Sequence, residues 1–115
     1  MRVATAVAIG LTLAACGKPP APKVYTVTLA NLAFGPTPAT LHVGDTIRWS
    51  NADIFQHSAT ARNGAFDVEL PPKGDARTVL NKAGTIDFYC RYHPNMTGRL
   101  TVVGRGTPRP PCNVS

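Results

Sequence analysis

Turn-forming residues interrupt this chain so often that no long helix fits into it. It contains 10 Gly and 11 Pro, and no window of a dozen residues keeps apolar side chains at the helical spacing of three and four. Short runs rich in β-branched and aromatic residues lie between the interruptions and predict strands. The predicted fold is an all-β, Greek-key β-sandwich of seven or eight strands. The predicted strands are Val24–Leu29, Thr40–Val43, Thr46–Asn51, Ser58–Ala61, Ala65–Leu70, Arg77–Leu80, Gly84–Cys90 and Gly98–Val103.

Both ends of the chain differ in composition from its middle. Residues 1–15 hold Arg2 followed by an apolar run without further charge. This pattern is typical of a secretion signal and is shorter than the roughly 20 residues that span a bilayer. Residues 104–115 have too few apolar side chains to fold, and disorder is predicted there. The remaining residues, 23–103, suffice for one modest domain.

The segment Leu13–Gly17 resembles the bacterial lipobox, in which the cysteine is lipidated and becomes the mature N-terminus. Residues 16–22 would then comprise the lipidated Cys16 and a stiff proline-rich tether. The alternative is an ordinary cleavage site with an incidental cysteine. The expected product is an exported lipoprotein, anchored to a membrane and facing the periplasm or cell surface. Gly17 favours the outer membrane if the host is Gram-negative.

The formal net charge is +6, from 12 basic and 6 acidic residues. This charge fits anionic lipid, an acidic protein partner or a plainly solvated surface. Nucleic acid is not an expected partner, because the signal directs the protein out of the cytoplasm and its Lys and Arg residues are scattered.

The residues that carry chemistry are concentrated in the loop between the last two predicted strands. Cys90, His93 and Met96 offer a thiolate, an imidazole and a thioether within seven residues. Soft sulfur donors suit copper(I), and imidazole binds both copper oxidation states. His57 lies near a predicted strand end, and loops of a sandwich cluster at its ends, so His57 is a candidate for the second imidazole.

Three other interpretations of these residues stay open. Structural zinc normally takes four Cys or His ligands and would leave Met96 unused. A catalytic Cys90 with a histidine base needs an orienting group and an oxyanion hole, and neither is identifiable in the sequence. A purely structural interpretation makes Cys90 and Met96 buried and His93 a surface residue. The combination of all four residues favours a metal site.

Residues 24–103 resemble the cupredoxins, the blue copper proteins, and in particular the amicyanin-like branch related to plastocyanin and pseudoazurin. The segment Gly84–Gly98 contains the family's Cys-x2-His-x2-Met loop with the short amicyanin spacing. The segment Val43–Asn51 looks like the family's strand pair before the first histidine. For one type 1 copper ion, the resemblance implies His57, Cys90 and His93 as trigonal ligands and Met96 as the weak axial ligand.

The resemblance implies a single-electron carrier rather than an enzyme, since such a site has no open coordination position. The expected partners are a redox donor and acceptor, such as a cytochrome, dehydrogenase or reductase. In the family the edge of the second histidine, here His93, is the electron port, in an apolar patch that Pro94, Phe55 and Tyr92 would line. A copper-binding or copper-delivery protein on the same fold is the alternative. Such proteins usually carry clusters of exposed Met and His, whereas this chain has only Met96 besides its first residue.

Three residues are predicted to lie around the ligands. By the resemblance, the Ser58 backbone amide binds the Cys90 sulfur and the Ser58 side chain ties loops together. Tyr92 stands where amicyanin and plastocyanin have proline, so its N–H, if aimed at the sulfur, would raise the potential relative to a Tyr92→Pro variant. Asn51 either bridges loops, as in the family, or has a simple turn role.

Three further residues receive simpler predictions. His42 is expected at the surface rather than as a fifth ligand, and Trp49 is expected in the core. Cys112 is expected to be left unpaired if Cys16 is lipidated and Cys90 binds metal.

Overall fold

The computed structural model describes residues 21–105. The predictions about 1–20 and 106–115, including those for Cys16 and Cys112, lie outside the described residues. Within the described range, no helix is long and apolar enough to cross a membrane. The strands are β1 (Val24–Ala30), β2 (Ala33–Phe34), β3 (Leu41–His42), β4 (Thr46–Asn51), β5 (His57–Ala61), β6 (Asp67–Leu70), β7 (Asp75–Val79), β8 (Gly84–Tyr89) and β9 (Thr97–Val103).

These strands form two sheets. Sheet 1 has the order β2-β1-β4-β7, and sheet 2 has the order β3-β9-β8-β5-β6. The Gly44-Asp45 connection between β3 and β4 carries the chain from one sheet to the other, and Gly44 has the positive φ of 96° that favours glycine. The predicted all-β sandwich is confirmed, but the described residues form nine strands rather than the predicted seven or eight, and β2 is the strand that was not predicted.

Strand boundaries differ from the prediction where local hydrogen bonds override propensity. β2 is only two residues long, too short to show an alternating pattern. β6 begins at Asp67 rather than Ala65. The N–H of Ala61 bonds the carbonyl oxygen of Phe66 at 2.9 Å, and this bond closes a turn that includes Ala65. The strand that was predicted from Arg77 begins at Asp75, which pairs with Ser50 of β4.

The core between the sheets is built around Trp49, which is fully buried. Its ring centroid lies 5.9 Å from that of Phe34, 5.7 Å from that of Phe66 and 5.1 Å from that of Phe88. Its Nε1–H donates to Thr78 Oγ1 at 3.0 Å, which satisfies the buried indole. Trp49 is therefore a core residue, as predicted.

Gly98, at the second position of β9, is required by packing. It pairs with Phe88 across the sheet, and a Cβ at position 98 would lie 2.2 Å from Phe88 Cζ. Because the ring of Phe88 fills the space of the missing side chain, β9 packs closely over the core directly after the Cys90–Met96 loop.

Asp45 ties together both chain ends of the domain. Its carboxylate accepts the N–H of Lys23 at 2.9 Å and of His42 at 2.8 Å, and it binds Arg105 Nη2 at 2.5 Å. Burial opposes ionisation, but these hydrogen bonds and the Arg105 charge outweigh it and lower the pKa of Asp45. The contacts of the domain thus extend past the predicted boundary at Val103. The His42 side chain, 31% exposed, also lies at this end.

Replacing Asp45 with Asn is expected to lower the free energy of unfolding at pH 7 by about 3 kcal/mol, because Arg105 is left without its buried partner. The folded pKa of Asp45 is depressed, so its contribution is complete above the unfolded value and is lost as pH falls through the folded value. The difference between the variant and the native protein should therefore shrink below about pH 4. Urea denaturation at several pH values measures both effects.

Asp75→Asn is the matched control, because the Arg48–Asp75 pair lies on the surface, with the two side chains 38% and 50% exposed. Its expected loss is under about 1 kcal/mol. Equal losses in the two variants at pH 7 would contradict the role assigned to Asp45.

Candidate metal centre

Four predicted residues meet at the end of the sandwich opposite Asp45. His57 is the first residue of β5, Cys90 directly follows β8, and Met96 directly precedes β9. Strands β5 and β8 are antiparallel neighbours, so the start of one lies beside the end of the other. His93 lies in the loop that links β8 and β9, which the same strand ends hold in place.

The donor atoms of three residues converge. One ligand atom from each of His57, Cys90 and His93 lies within 4.8 Å of the other two. Cys90 Sγ is 3.6 Å from His57 Nδ1 and 3.8 Å from His93 Nδ1. An ion bound in a trigonal plane at about 2.0–2.3 Å separates its donors by about 3.5–3.9 Å. Both sulfur–nitrogen distances therefore match those around a bound metal ion.

Met96 closes the loop that holds these donors. Its N–H bonds His93 O at 2.8 Å, and its carbonyl accepts the N–H of Cys90 at 3.0 Å. The residue is 3% exposed, and Cys90 is fully buried beside it in the core. The Met96 backbone thus fixes both other loop ligands, and its thioether is buried at the same end of the domain.

Ser58 connects the loop to β5 through two bonds. Its N–H donates to Cys90 Sγ at 3.4 Å, and its Oγ accepts the N–H of Arg91 at 2.8 Å. The first bond gives the buried sulfur a hydrogen-bond donor. Ser58 is fully buried, so neither bond competes with water.

Tyr92 contacts its surroundings differently from the prediction. Among the described residues, the backbone donor to the Cys90 sulfur is Ser58, and no bond from Tyr92 N–H to that sulfur is present. The physical reason given for a potential shift in Tyr92→Pro is therefore missing. Tyr92 instead points its hydroxyl to the edge strand β6, where Glu69 Oε2 accepts it at 2.7 Å. That bond raises the pKa of Tyr92, so the hydroxyl remains the donor.

Asp53 orients His57 and was not identified from the sequence. Asp53 Oδ2 lies 2.8 Å from His57 Nε2, so this nitrogen carries the proton and Nδ1 presents its lone pair towards Cys90. Asp53 also accepts the N–H groups of Asn31 and Leu32, at 2.8 and 3.0 Å. Both of these residues have positive φ, a conformation costly for a leucine. The His57 bond is the main cause that lowers the pKa of Asp53.

Asn51 bridges loops rather than serving one turn. Its Nδ2 contacts the carbonyl oxygens of Phe55, Leu70 and Pro71 at 2.8, 3.0 and 3.1 Å. Its Oδ1 accepts the N–H of Asp53 at 2.9 Å. The side chain therefore holds together the end of β4, the loop before His57 and the end of β6.

The geometry also bears on the other interpretations. Asp53 supplies the orienting group that a catalytic Cys–His pair needs, but Cys90 and His57 are both 0% exposed, which does not favour attack of the sulfur on a substrate. Within the described residues the metal-binding group has three Cys or His members, one fewer than structural zinc normally takes.

No local pattern marks Asp53, because its contacts arise only when the loops fold together.

Replacing Asp53 with Asn is expected to weaken metal binding by about 10- to 100-fold, because the amide holds His57 less firmly in the required tautomer. Titration with Co²⁺, followed by its visible absorption in competition with a chelator, measures the affinity. Asp87→Asn, which removes an exposed partner of Arg99 on the outer face of sheet 2, is the control. An affinity equal to that of the control would show that Asp53 does not position His57.

Comparison with known proteins places this site in a family. The chain matches the family model of the cupredoxin-like domain over residues 3–102. An amicyanin from Paracoccus versutus is 32% identical over 69 residues, which cover 55% of this chain and 52% of that protein, about half of its length. Amicyanin-alpha from Methylorubrum extorquens is 29% identical over 82 residues, covering 66% of this chain and 69% of the relative.

Solved structures agree with the fold. The crystal structure of amicyanin from Paracoccus versutus has a TM-score of 0.62 at 21% identity, covering 70% of this chain and 81% of that chain. A Cu(I) form of an amicyanin variant with methionine replaced by alanine also has a TM-score of 0.62, at 22% identity, covering 70% and 82%. The family match over most of the chain and the shared sandwich establish that this chain belongs to the cupredoxin family.

Proposed function

We propose that the protein is a single-electron carrier with one mononuclear copper ion, held by His57, Cys90 and His93, with Met96 as a weak axial ligand. The observation that carries the proposal is the convergence of one thiolate and two imidazoles within 4.8 Å at one end of the sandwich. The similarity of the chain to amicyanins supports the same function.

The donor set fits copper better than other ions. Thiolate and thioether suit copper(I), imidazole suits both oxidation states, and a site with two His, one Cys and a distant Met is typical of electron transfer. When bound, copper supplies a one-electron redox couple. Zinc has no redox chemistry, and its usual protein ligands are Cys, His and carboxylates. A zinc ion would therefore leave the buried Met96 thioether unused.

The chain's own contribution is to hold the donors in one arrangement. Cys90 and His93 are fixed by their backbone bonds to Met96, and His57 is fixed by Asp53. Donors that stay in place need little rearrangement when an electron arrives or leaves, which lowers the barrier to transfer. The burial of His57 and Cys90 shields these two ligands from substrates and water, which suits a carrier rather than an enzyme.

His93 is the proposed electron port. It is the one partly exposed member of the three-donor group, and the Phe55 ring packs edge-on to it with a centroid distance of 6.0 Å. Residues next to Phe55 and His93 in the sequence also expose apolar or aromatic side chains: Ile54 is 72%, Phe55 46% and Tyr92 47% exposed, and Pro94 is exposed as well. An exposed apolar surface of this kind suits transient docking of a redox partner, here an electron donor or acceptor protein.

The absorption and electron paramagnetic resonance spectra of the copper(II)-loaded chain from residue 23 onward test the proposal. The native protein is expected to show an intense blue thiolate-to-copper band with narrow copper hyperfine splitting, and Cys90→Ser is expected to lose both. Cys112→Ser controls for removal of a thiol elsewhere and should keep both signals. A pale spectrum that is indifferent to Cys90 would refute the ligand assignment.

Met96→Leu tests the axial position in the same experiment. The swap nearly conserves volume and should cost under about 1.5 kcal/mol of stability. If the thioether is a ligand, the reduction potential and the hyperfine splitting change. If both remain native, Met96 is only a core residue.

Copper delivery on the same fold is the second candidate function. A delivery protein needs a labile site, whereas His57, Cys90 and Met96 are buried. Bonds through Ser58, Asp53 and Met96 also tie the donors to neighbouring strands. The same spectra separate the two functions, because delivery predicts loosely bound copper without a blue band.

We further propose that the domain is exported and held at a membrane by a lipid on Cys16, with residues 16–22 as its tether. The apolar leader and Cys16 support this proposal. Expression of the full chain in a bacterial host, followed by fractionation, should place the protein in the membrane fraction. Cys16→Ser should move it to the soluble periplasmic fraction, and an unchanged distribution would contradict lipid anchoring.

A further inference from the structure

The edge strand β6 presents two carboxylates to the ligand loop. Asp67 and Glu69 lie two positions apart on β6, and their partners on β5 are Thr60 and Ser58. Alternate residues of a strand share a face, so both acids project to the same side. The two loop residues between the ligands Cys90 and His93 contact these acids and no other carboxylates of the described chain.

Glu69 receives three donors from two different ligand-bearing segments. Tyr92 Oη donates to Oε2 at 2.7 Å and Arg91 Nη2 lies 3.0 Å from Oε1, both from the loop that carries His93. Gln56 Nε2 donates to Oε2 at 2.9 Å and comes from the residue before His57. One side chain on a third segment therefore joins the two segments that supply the imidazoles.

Asp67 completes the connection by a second route. Arg91 N–H donates to Ser58 Oγ, Ser58 contacts Thr60 Oγ1 at 2.9 Å, and Thr60 donates to Asp67 Oδ1 at 2.9 Å. Arg91 Nη2 then binds the same Asp67 oxygen at 2.5 Å. The backbone and the side chain of Arg91 are thus both held. Along this route the Ser58 hydroxyl donates to Thr60, and the Thr60 hydroxyl donates to Asp67.

We propose that Glu69 is a positioning residue that fixes the His93 loop relative to the His57 strand through Tyr92, Arg91 and Gln56. Tyr92 occupies a position without the ring constraint of a proline, so its backbone is free to vary. The bond from its hydroxyl to Glu69, on a neighbouring strand, restricts the movement of Tyr92 in place of a proline ring. This role rests on the proposed metal site, and it adds β6 to the elements that define the site.

Exposure limits what these contacts do for overall stability. Glu69 is 48% and Arg91 44% exposed, and exposed ion pairs contribute little to the free energy of unfolding. Their effect is therefore expected in the local mobility of the loop and in retention of the metal. The midpoint of thermal unfolding should hardly move, which separates positioning from a general structural role.

Glu69→Ala, Tyr92→Phe and the double variant test the proposal in the full-length protein. In the metal-free state, amide hydrogen exchange of residues 91–96 is expected to accelerate by about 10-fold in each single variant. With copper(I) bound, transfer to an excess of chelator should accelerate by about 10-fold as well. The double variant should match Glu69→Ala, because the Tyr92–Glu69 bond is already absent in that single variant.

Asp87→Ala is the matched control, because Asp87 is 50% exposed on sheet 2 and pairs with Arg99, away from the loop. It should leave exchange of residues 91–96 unchanged. Glu69→Ala exchange equal to that of the control, or effects of Glu69 and Tyr92 that simply add, would overturn the proposal. The metal-free exchange reports on Glu69 even if copper is the wrong ion, and the Cys90→Ser spectrum reports on copper separately.

Discussion

The arrangement of the metal-binding end depends on the buried side-chain amide of Asn51. It is 2% exposed, and it donates to the carbonyl of Phe55, before His57, and to those of Leu70 and Pro71, at and just after the end of β6. Through its Oδ1 it also places the backbone of Asp53, and Asp53 in turn orients His57. A buried amide that makes all of its bonds fixes its neighbours firmly, since any shift leaves a polar atom unpaired. The order of dependence therefore runs from Asn51 to Asp53 to His57.

Much of the site was predictable because its key signal is local. Cys90, His93 and Met96 lie on one short loop, so spacing along the chain is close to spacing in space. Trp49 and the sandwich followed from strand patterns that the two sheets preserve. The contributions of Asp53 and Glu69 were not predictable, because they depend on which loops and strands meet after folding. For Tyr92, the sequence showed a departure from proline but not the direction of its polar contacts.

The two imidazoles are held by different kinds of contact. His57 is fully buried and is oriented by a carboxylate that also binds two turn amides. His93 is partly exposed and depends on its loop, whose residues bind exposed acids of the edge strand. The buried bonds resist water and salt, whereas exposed ion pairs weaken as ionic strength rises. The site therefore combines a rigidly held ligand, His57, with a second ligand, His93, whose supporting ion pairs weaken as salt is added.

Asp45 gathers the first and last contacts of the domain at the pole away from His93. Lys23 and Arg105 both bind it, and β1 runs from there towards the ligand end over seven residues, a length of about 23 Å at the usual rise of a strand. Both ends of the domain are thus anchored at Asp45, a full strand length away from the Cys90–Met96 loop. A tether attached at either end of the domain therefore leaves the surface that carries His93 uncovered.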